Sequence, residues 1–409
     1  MKILFSSFHN YLDGDSGAAL STRESLLSLA RKGNDVRTLC LSCFASEYPQ
    51  EVALSNSFAR LGLAAEKVVA NILVNNQNVQ LFAYRFDDSG IKSTVLLLPR
   101  EFRRVASSHQ LRIQSAIYLN RLHKELESRP PDIYATYGGY WAARPAARLA
   151  QNQGVKTVFL LHNLSYKNTS LFKYFDKIVV PSRFAKNHYS RKLGVDAFVL
   201  TPLISADRTL VKSNSRRFLT FVNPSTEKGL YFFTGIALAL NRIRPDIPIQ
   251  VVESRRKIDV FRRIAKAKEL NNLFALPYVN NPATFMQETR ILLVPSLCEE
   301  SFGRVVVEAG MNGIPALCSD RGALPEVADV PALILNIPKR FTPSSTFLPN
   351  ENEIAPWITL IIRLWDDASE NIRAGNELKQ SVSRYSEDVV AKETELFFAS
   401  LAESNGKSG

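Results

Sequence analysis

Short, nearly unbroken apolar runs alternate along this chain with longer stretches whose apolar residues recur every third or fourth position. Runs at residues 2–6, 35–41, 156–162, 177–180, 218–222, 249–253, 291–294 and 316–320 read as strands covered on both faces, the pattern of a parallel sheet. Between the first two, Leu20, Leu26, Leu27, Leu29 and Ala30 share one helical stripe over 19–31, which stops at Lys32 and Gly33. A second stripe, Val105, Ile113, Ile117, Leu122 and Leu126, predicts a helix over 100–129. Helices are also predicted over 356–364, 371–385 and 387–402. Strand–helix alternation of this kind predicts an α/β protein. It occurs in two halves, separated at 205–217 by a polar, basic segment without periodicity. Two Rossmann-like domains follow, 1–207 and 208–386. Residues 45–100 are the least regular and fit further strand, helix and loop elements of the first domain.

Composition narrows this picture without deciding it. The 409 residues hold 45% hydrophobic and 22% charged side chains, as ordinary globular domains do. Apolar runs fall short of a membrane span, and the N-terminus reads as a first strand rather than a signal peptide. Four cysteines in so long a chain do not make a disulfide framework, so a reducing, cytoplasmic setting is expected. Cys40 and Cys43 have redox-motif spacing but fall at the end of the second strand, where two buried thiols explain them. The net charge of +12 favours anionic partners such as a nucleotide, a phospholipid surface or nucleic acid. On the 100–129 helix, Arg103, Arg104, Arg112, Arg121 and Lys124 form a basic outer face. It is either solvated or a dock for an anionic acceptor or, peripherally, for the inner face of an anionic membrane. Nucleic acid is not expected, because the basic residues are scattered and no reading motif is present.

The chemistry concentrates after the 291–294 strand. Pro295 ends it, Ser301 is placed to cap a helix over 303–311, and Asn312 and Gly313 close that helix. A strand end, a short loop and a helix N-terminus in succession offer backbone N–H groups to a phosphate. Glu300 precedes the helix, and Glu308 is placed about two turns inside it. Two carboxylates able to hold hydroxyls on either side of a diphosphate match the shape of a nucleotide sugar.

These residues carry a resemblance. Glu300, Ser301, Phe302 and Gly303, followed by Glu308, resemble the E-x7-E signature of retaining GT-B glycosyltransferases of family 4. The flanking Val294, Pro295, Ser296, then Gly313, Ile314, Pro315 and Arg321 to Glu326, agree with it. The resemblance implies a GT-B fold, with two Rossmann-like domains facing across a cleft and the last helix, 387–403, returning to the first domain. It implies sugar transfer from a nucleotide sugar, with a uridine donor first and a guanosine donor next, to an unidentified acceptor hydroxyl on a lipid, glycan or small natural product. No cofactor and no metal are expected; Asp13 and Asp15, formally a D-x-D, read as loop polarity.

The same resemblance assigns roles. Glu308 holds the ribose hydroxyls and Glu300 the transferred sugar. Lys228 and the helix N-terminus, from Ser301, Phe302, Gly303 and Arg304 to Val305, meet the diphosphate. Tyr278 and Val279 offer backbone groups to the base. Gly14 and Gly17 match the glycine-rich turn after the first strand, and His162 matches a strand-end histidine that faces the donor sugar. Family members carry arginine five residues before the lysine, where this chain has Asn223. Arg255, Arg256 and Arg304 are the candidate substitutes. Two other classes compete: a GT-B sugar-nucleotide epimerase or phosphorylase, separated by finding transfer to a distinct acceptor, and a non-enzymatic anion- or nucleic-acid-binding protein, separated by salt-dependent duplex binding.

Overall fold

The computed structural model describes residues 1–44, 49–74, 77–99, 108–213, 215–253, 258–264, 270–279 and 281–403. They form two compact units. One comprises Met1–Pro181, Lys186–Leu203 and the chain from Asp388 onward; the other comprises Ser182–Ala185 and Ile204–Glu387.

The first unit is built on β1 (Lys2–His9), β2 (Asp35–Cys43), β3 (Glu66–Val74), β4 (Gln77–Asp88), β5 (Ile91–Leu97), β6 (Ile133–Tyr137), β7 (Lys156–Leu160), β8 (Lys177–Val180) and β9 (Phe198–Val199). They lie in one sheet in the order β3-β4-β5-β2-β1-β6-β7-β8-β9. Pairing is parallel except where β4 meets β3 and β5. β1 is the hinge of the topology: β2 pairs on one side and β6 on the other, with Ile3 opposite both Val36 and Ile133. The chain winds outward in both directions from there. An open sheet of this kind has its crevice where the order reverses, beyond the carboxyl ends of β1 and β6.

The second unit holds β10 (Phe218–Val222), β11 (Ile249–Val252), β12 (Leu273–Leu276), β13 (Thr289–Val294), β14 (Ala316–Ser319) and β15 (Ile334–Leu335). Their order is β12-β11-β10-β13-β14-β15, with parallel pairing throughout. The order reverses between β10 and β13, so the loops after these two strands share one crevice.

The predicted halves are α/β as expected, and several boundaries move. Residues 66–88 form an antiparallel hairpin at the sheet edge. Its outward face leaves Val69 and Leu73 more than half exposed, which blurs the apolar alternation. The helix expected from Pro356 starts earlier, at Glu351, because Asn350 and Glu353 make a reciprocal capping box; Pro356 then sits inside it. The helix expected over 371–385 runs Ala368–Val382, capped by Asp367. Of the predicted 100–129 helix, the described part is Ser108–Ser128, and Arg103 and Arg104 lie outside the described residues. Arg121 and Arg129 on this segment place their guanidinium groups 3.3 and 2.8 Å from the Glu125 carboxylate. The final helix, Glu387–Glu403, puts Phe397, Phe398 and Leu401 into the first unit's core, and Phe397 stacks on Phe198 at 4.8 Å. Cys40 and Cys43 are free thiols, and burial pushes Cys43 up to about 11. Among the described residues no helix is long and apolar enough to cross a membrane.

The two loops at the second crevice are locked together by their backbones. Leu297 and Cys298 donate their N–H groups to the Glu227 carbonyl at 2.9 and 3.1 Å. Gly229 has φ +88°, and a Cβ there would lie 2.0 Å from the Pro295 carbonyl oxygen. Gly229→Ala therefore adds backbone overlap to left-handed strain and should destabilise the chain by about 2–6 kcal/mol. Gly154, at φ +74° with open space around it, carries the strain alone; Gly154→Ala should cost about 1–2 kcal/mol. Chemical denaturation of both variants checks this, and equal losses would remove the close approach as a constraint.

Candidate functional site

In the second unit the crevice gathers the loops after β10 and β13. The first loop begins at Asn223, which takes φ +61°. Asparagine tolerates this left-handed region better than most residues. Its carbonyl accepts the Ser225 N–H at 2.7 Å, and Lys228 and Leu230 both bond back to the Ser225 carbonyl. The loop is thus a compact turn that delivers Lys228 to the crevice and starts the helix Leu230–Ile243. The side-chain oxygens of Asn223 and Ser225 are buried and have no hydrogen-bond partner among the described residues.

The second loop delivers Glu300. Its backbone is clamped by the chain after β14: Ala323 donates to the Glu300 carbonyl at 2.8 Å. Gly322 pairs with Glu300 so closely that a Cβ would meet the Glu300 nitrogen at 2.2 Å. Its carboxylate is held as firmly, with Lys228 Nζ at 2.5 Å and Ser296 Oγ at 2.7 Å, both on Oε1. Burial opposes charge on both partners, yet each keeps it. Desolvation pulls the Lys228 ammonium down, and the Glu300 carboxylate outweighs it, leaving lysine above its ordinary value. Desolvation pushes Glu300 up, and Lys228 and Ser296 bring it below its ordinary 4.5. Ser296 was not singled out in the sequence; only its place one residue after the strand-ending proline hinted at it.

The helix after this loop runs Arg304–Met311. Ser301 is not its cap. Gly303 occupies that position at φ +104°, a conformation open to glycine, and the Ser301 carbonyl instead accepts from Ser182 Oγ at 2.7 Å. The late start also leaves Glu308 little more than one turn inside the helix, not two. Glu308 is 7% exposed and faces Arg304 across one turn at 3.6 Å. The Phe302 side chain is buried against Tyr385, ring centroids 5.3 Å apart, so only its backbone is available to a ligand. Val305 is partly buried against the same core. Tyr278 and Val279 follow β12 in a half-buried loop. Arg255 and Arg256 lie outside the described residues.

The first unit has its own crevice, at the carboxyl ends of β1, β6 and β7. A cavity of about 390 Å³ opens there, lined by His9, Ser16, Tyr137, Tyr140, His162 and Tyr166 among others. His162 lies two residues beyond β7. Its Nε2 is 3.3 Å from Thr22 Oγ1, and its ring meets Tyr137 edge-on at 6.0 Å. Gly17 opens the helix Gly17–Arg31, which Ser16 caps by accepting from Ala19. Asp13, read from sequence as loop polarity, is 3% exposed, and its carboxylate lies 2.8 Å from His9 Nε2. Burial raises the Tyr137 phenol well above its ordinary value, so it stays neutral. Sequence reasoning missed His9, Tyr137, Tyr140 and Tyr166, although three of them stand at or just past strand ends of a parallel sheet.

Comparison with known proteins agrees with this architecture. The family described as glycosyl transferases group 1 matches residues 213–330, and glycosyltransferase family 4 matches residues 16–208. No curated protein matches the chain in sequence. Among solved structures, the catalytic domain of starch synthase IV from Arabidopsis thaliana, bound to ADP and acarbose, is similar at TM-score 0.67 and 13% identity, over 98% of this chain and 99% of that one. HepE from Anabaena, in complex with UDP and glucose, is similar at 0.65 and 14%, over 98% and 100%. Sucrose-phosphate synthase from Thermosynechococcus elongatus is similar at 0.65 and 13%, over 99% and 100%. The chain belongs to the group 1 glycosyltransferases and has the GT-B fold.

The Lys228–Glu300 pair gives a pH-resolved prediction. Glu300→Gln should cost about 1–3 kcal/mol at neutral pH, since it leaves a half-buried ammonium without its carboxylate. Glu300 has a depressed folded pKa, so its contribution is present above 4.5 and fades as pH falls through the folded value. Lys228 has a raised one, so its contribution is present below 10.5 and fades as pH rises through the folded value. Denaturation curves of wild type and Glu300→Gln should therefore differ by a constant amount at neutral pH and converge at both extremes. A gap that persists below the acid limit would contradict the pairing.

Proposed function

We propose that this glycosyltransferase moves a sugar from a nucleoside-diphosphate sugar to an acceptor hydroxyl, with retention at the anomeric carbon and without a metal. The observation that carries the reading is the Lys228–Glu300 pair at the crevice between β10 and β13, followed in the chain by the helix Arg304–Met311 that carries the Arg304–Glu308 pair. Cations and helix N–H groups suit a diphosphate whose charge grows as it leaves. They supply the positive charge that a metal supplies in other transferases. Glu308 suits a pair of ribose hydroxyls. Lys228 exchanges Glu300 for the diphosphate when donor binds, and Glu300, released, takes a hydroxyl of the transferred sugar.

Uridine is the base we assign first, because HepE was solved with UDP; the ADP on starch synthase IV makes adenosine the alternative. The acceptor is assigned to the cavity of the first unit, with His162 at its hydroxyl. In the retaining step the acceptor oxygen bonds to the anomeric carbon on the face from which the phosphate oxygen departs. That phosphate takes the hydroxyl proton. An epimerase reading has no observation in its favour beyond the shared fold.

Two measurements test this. Incubation with α-configured UDP-sugars and a panel of acceptors, in excess EDTA, should give an α-linked product by NMR. A β-linked product would overturn retention, and activity that requires added Mn²⁺ would overturn metal independence. By calorimetry, Glu308→Ala should weaken UDP and UDP-sugar alike by about 1.5–3 kcal/mol. Unchanged UDP affinity would remove Glu308 from the ribose.

A further inference from the structure

The first unit's cavity constrains the acceptor more closely than the fold does. The chain carries a net charge of +12, yet none of the residues lining the cavity among the described residues is a lysine or arginine. Its ionisable groups are His9, His162, neutral tyrosines and Cys43, and His9 is already committed to the Asp13 carboxylate at 2.8 Å. An acceptor bearing phosphate or carboxylate would lose water here without gaining a full counter-charge, and burying an unpaired charge is costly.

The walls are aromatic faces. Tyr140 turns its hydroxyl away into the fold, toward Thr136 at 3.0 Å and Tyr118 at 3.3 Å, and stacks on Phe8 with centroids 4.7 Å apart. Tyr166 lies over Gly139, where a Cβ would come within 2.6 Å of its ring, so glycine is what lets the ring settle there. Polar groups are few: the His9–Asp13 pair, His162 and the Asn163 side chain, whose Oδ1 is occupied by Ser165. A space of about 390 Å³ with apolar faces and a few hydroxyl partners suits a small ring-bearing molecule.

We propose that the acceptor is an uncharged sugar ring, a simple glycoside or the end of a neutral glycan. Its C–H face packs on Tyr140 and Tyr166, and its hydroxyls meet His9, His162 and Asn163. This rests on the acceptor assignment made under the proposed function. Aromatic packing without a charge partner separates it from phosphate-bearing lipid and polyol acceptors. The hydroxyl partners separate it from a purely apolar aglycone.

Saturation-transfer NMR on the full chain tests the proposal. The probes are the methyl α-glucoside, α-mannoside, β-galactoside and β-N-acetylglucosaminide, with glucose 6-phosphate and glycerol 3-phosphate as charged counterparts. UDP and ADP are titrated separately against wild type. At least one neutral glycoside should receive saturation, strongest on the C–H groups of one ring face, and bind more tightly than either phosphate. Tyr166→Ala should weaken that glycoside by about three- to tenfold, and Tyr166→Phe, which keeps the ring, should not. A phosphate binding more tightly than every neutral probe overturns the proposal, as does a Tyr166→Ala chain that binds the glycoside unchanged. Silence from all four glycosides while UDP still binds overturns the acceptor class alone. UDP failing to bind wild type overturns the uridine assignment, and ADP failing as well overturns the proposed function on which the acceptor rests.

Discussion

The approach of Gly229 to the Pro295 carbonyl sets the geometry on which the second unit's crevice depends. Parallel pairing of β10 with β13 brings the two strand ends side by side, but it does not by itself hold the following loops together. The missing side chain at Gly229 and the two N–H bonds to Glu227 do that, leaving the loops no independent freedom. Gly322 repeats the device on the far side of Glu300. With both loop backbones fixed, Lys228 and Glu300 meet at ion-pair distance. The helix that follows this loop begins at Arg304, with Gly303 as its cap.

Electrostatics then differ between the two units. In the second, partly buried charges are kept ionised by one another, so the chain holds a cation beside a carboxylate. Such a pair costs desolvation in either state; in the exchange we propose, a diphosphate takes the carboxylate's place as the partner instead of forcing a new desolvation. In the first unit, burial keeps tyrosines neutral, and the buried Asp13 carboxylate lies against His9. One crevice thus carries partly buried charges, and the other carries aromatic faces and few charged groups among the described residues.

The fold class was legible because buried parallel strands read as apolar runs, and a loop of such runs and helices leaves few alternatives. The Glu300–Glu308 segment was legible because a strand, a proline, a loop and a helix follow one another without interruption. Its local details were not. Ser301 looks like a cap by residue type, but Gly303 can adopt a φ that serine does not favour, and a single sequence does not rank the two. Asp13 looks like loop polarity because its partner, His9, lies only four residues away on a strand end, where no regular spacing marks it. The tyrosines of the first unit carry no mark in the sequence that separates core from cavity wall. Tyr118 and Tyr134 are core, while Tyr140 and Tyr166 share their composition and differ only in which face they leave open. Residues that act through tertiary neighbours, such as Ser296 on Glu300, leave no pattern along the chain.

The central claim is that Lys228 gives up Glu300 for the donor's diphosphate. The affinity difference between uridine and UDP isolates the phosphate contribution, because the base and ribose are common to both. Measured by calorimetry in wild type and in Lys228→Ala, that difference should shrink by tenfold or more in the variant, with uridine affinity itself unchanged. A difference of the same size in both proteins would contradict the claim and leave the Lys228–Glu300 pair as a purely structural contact.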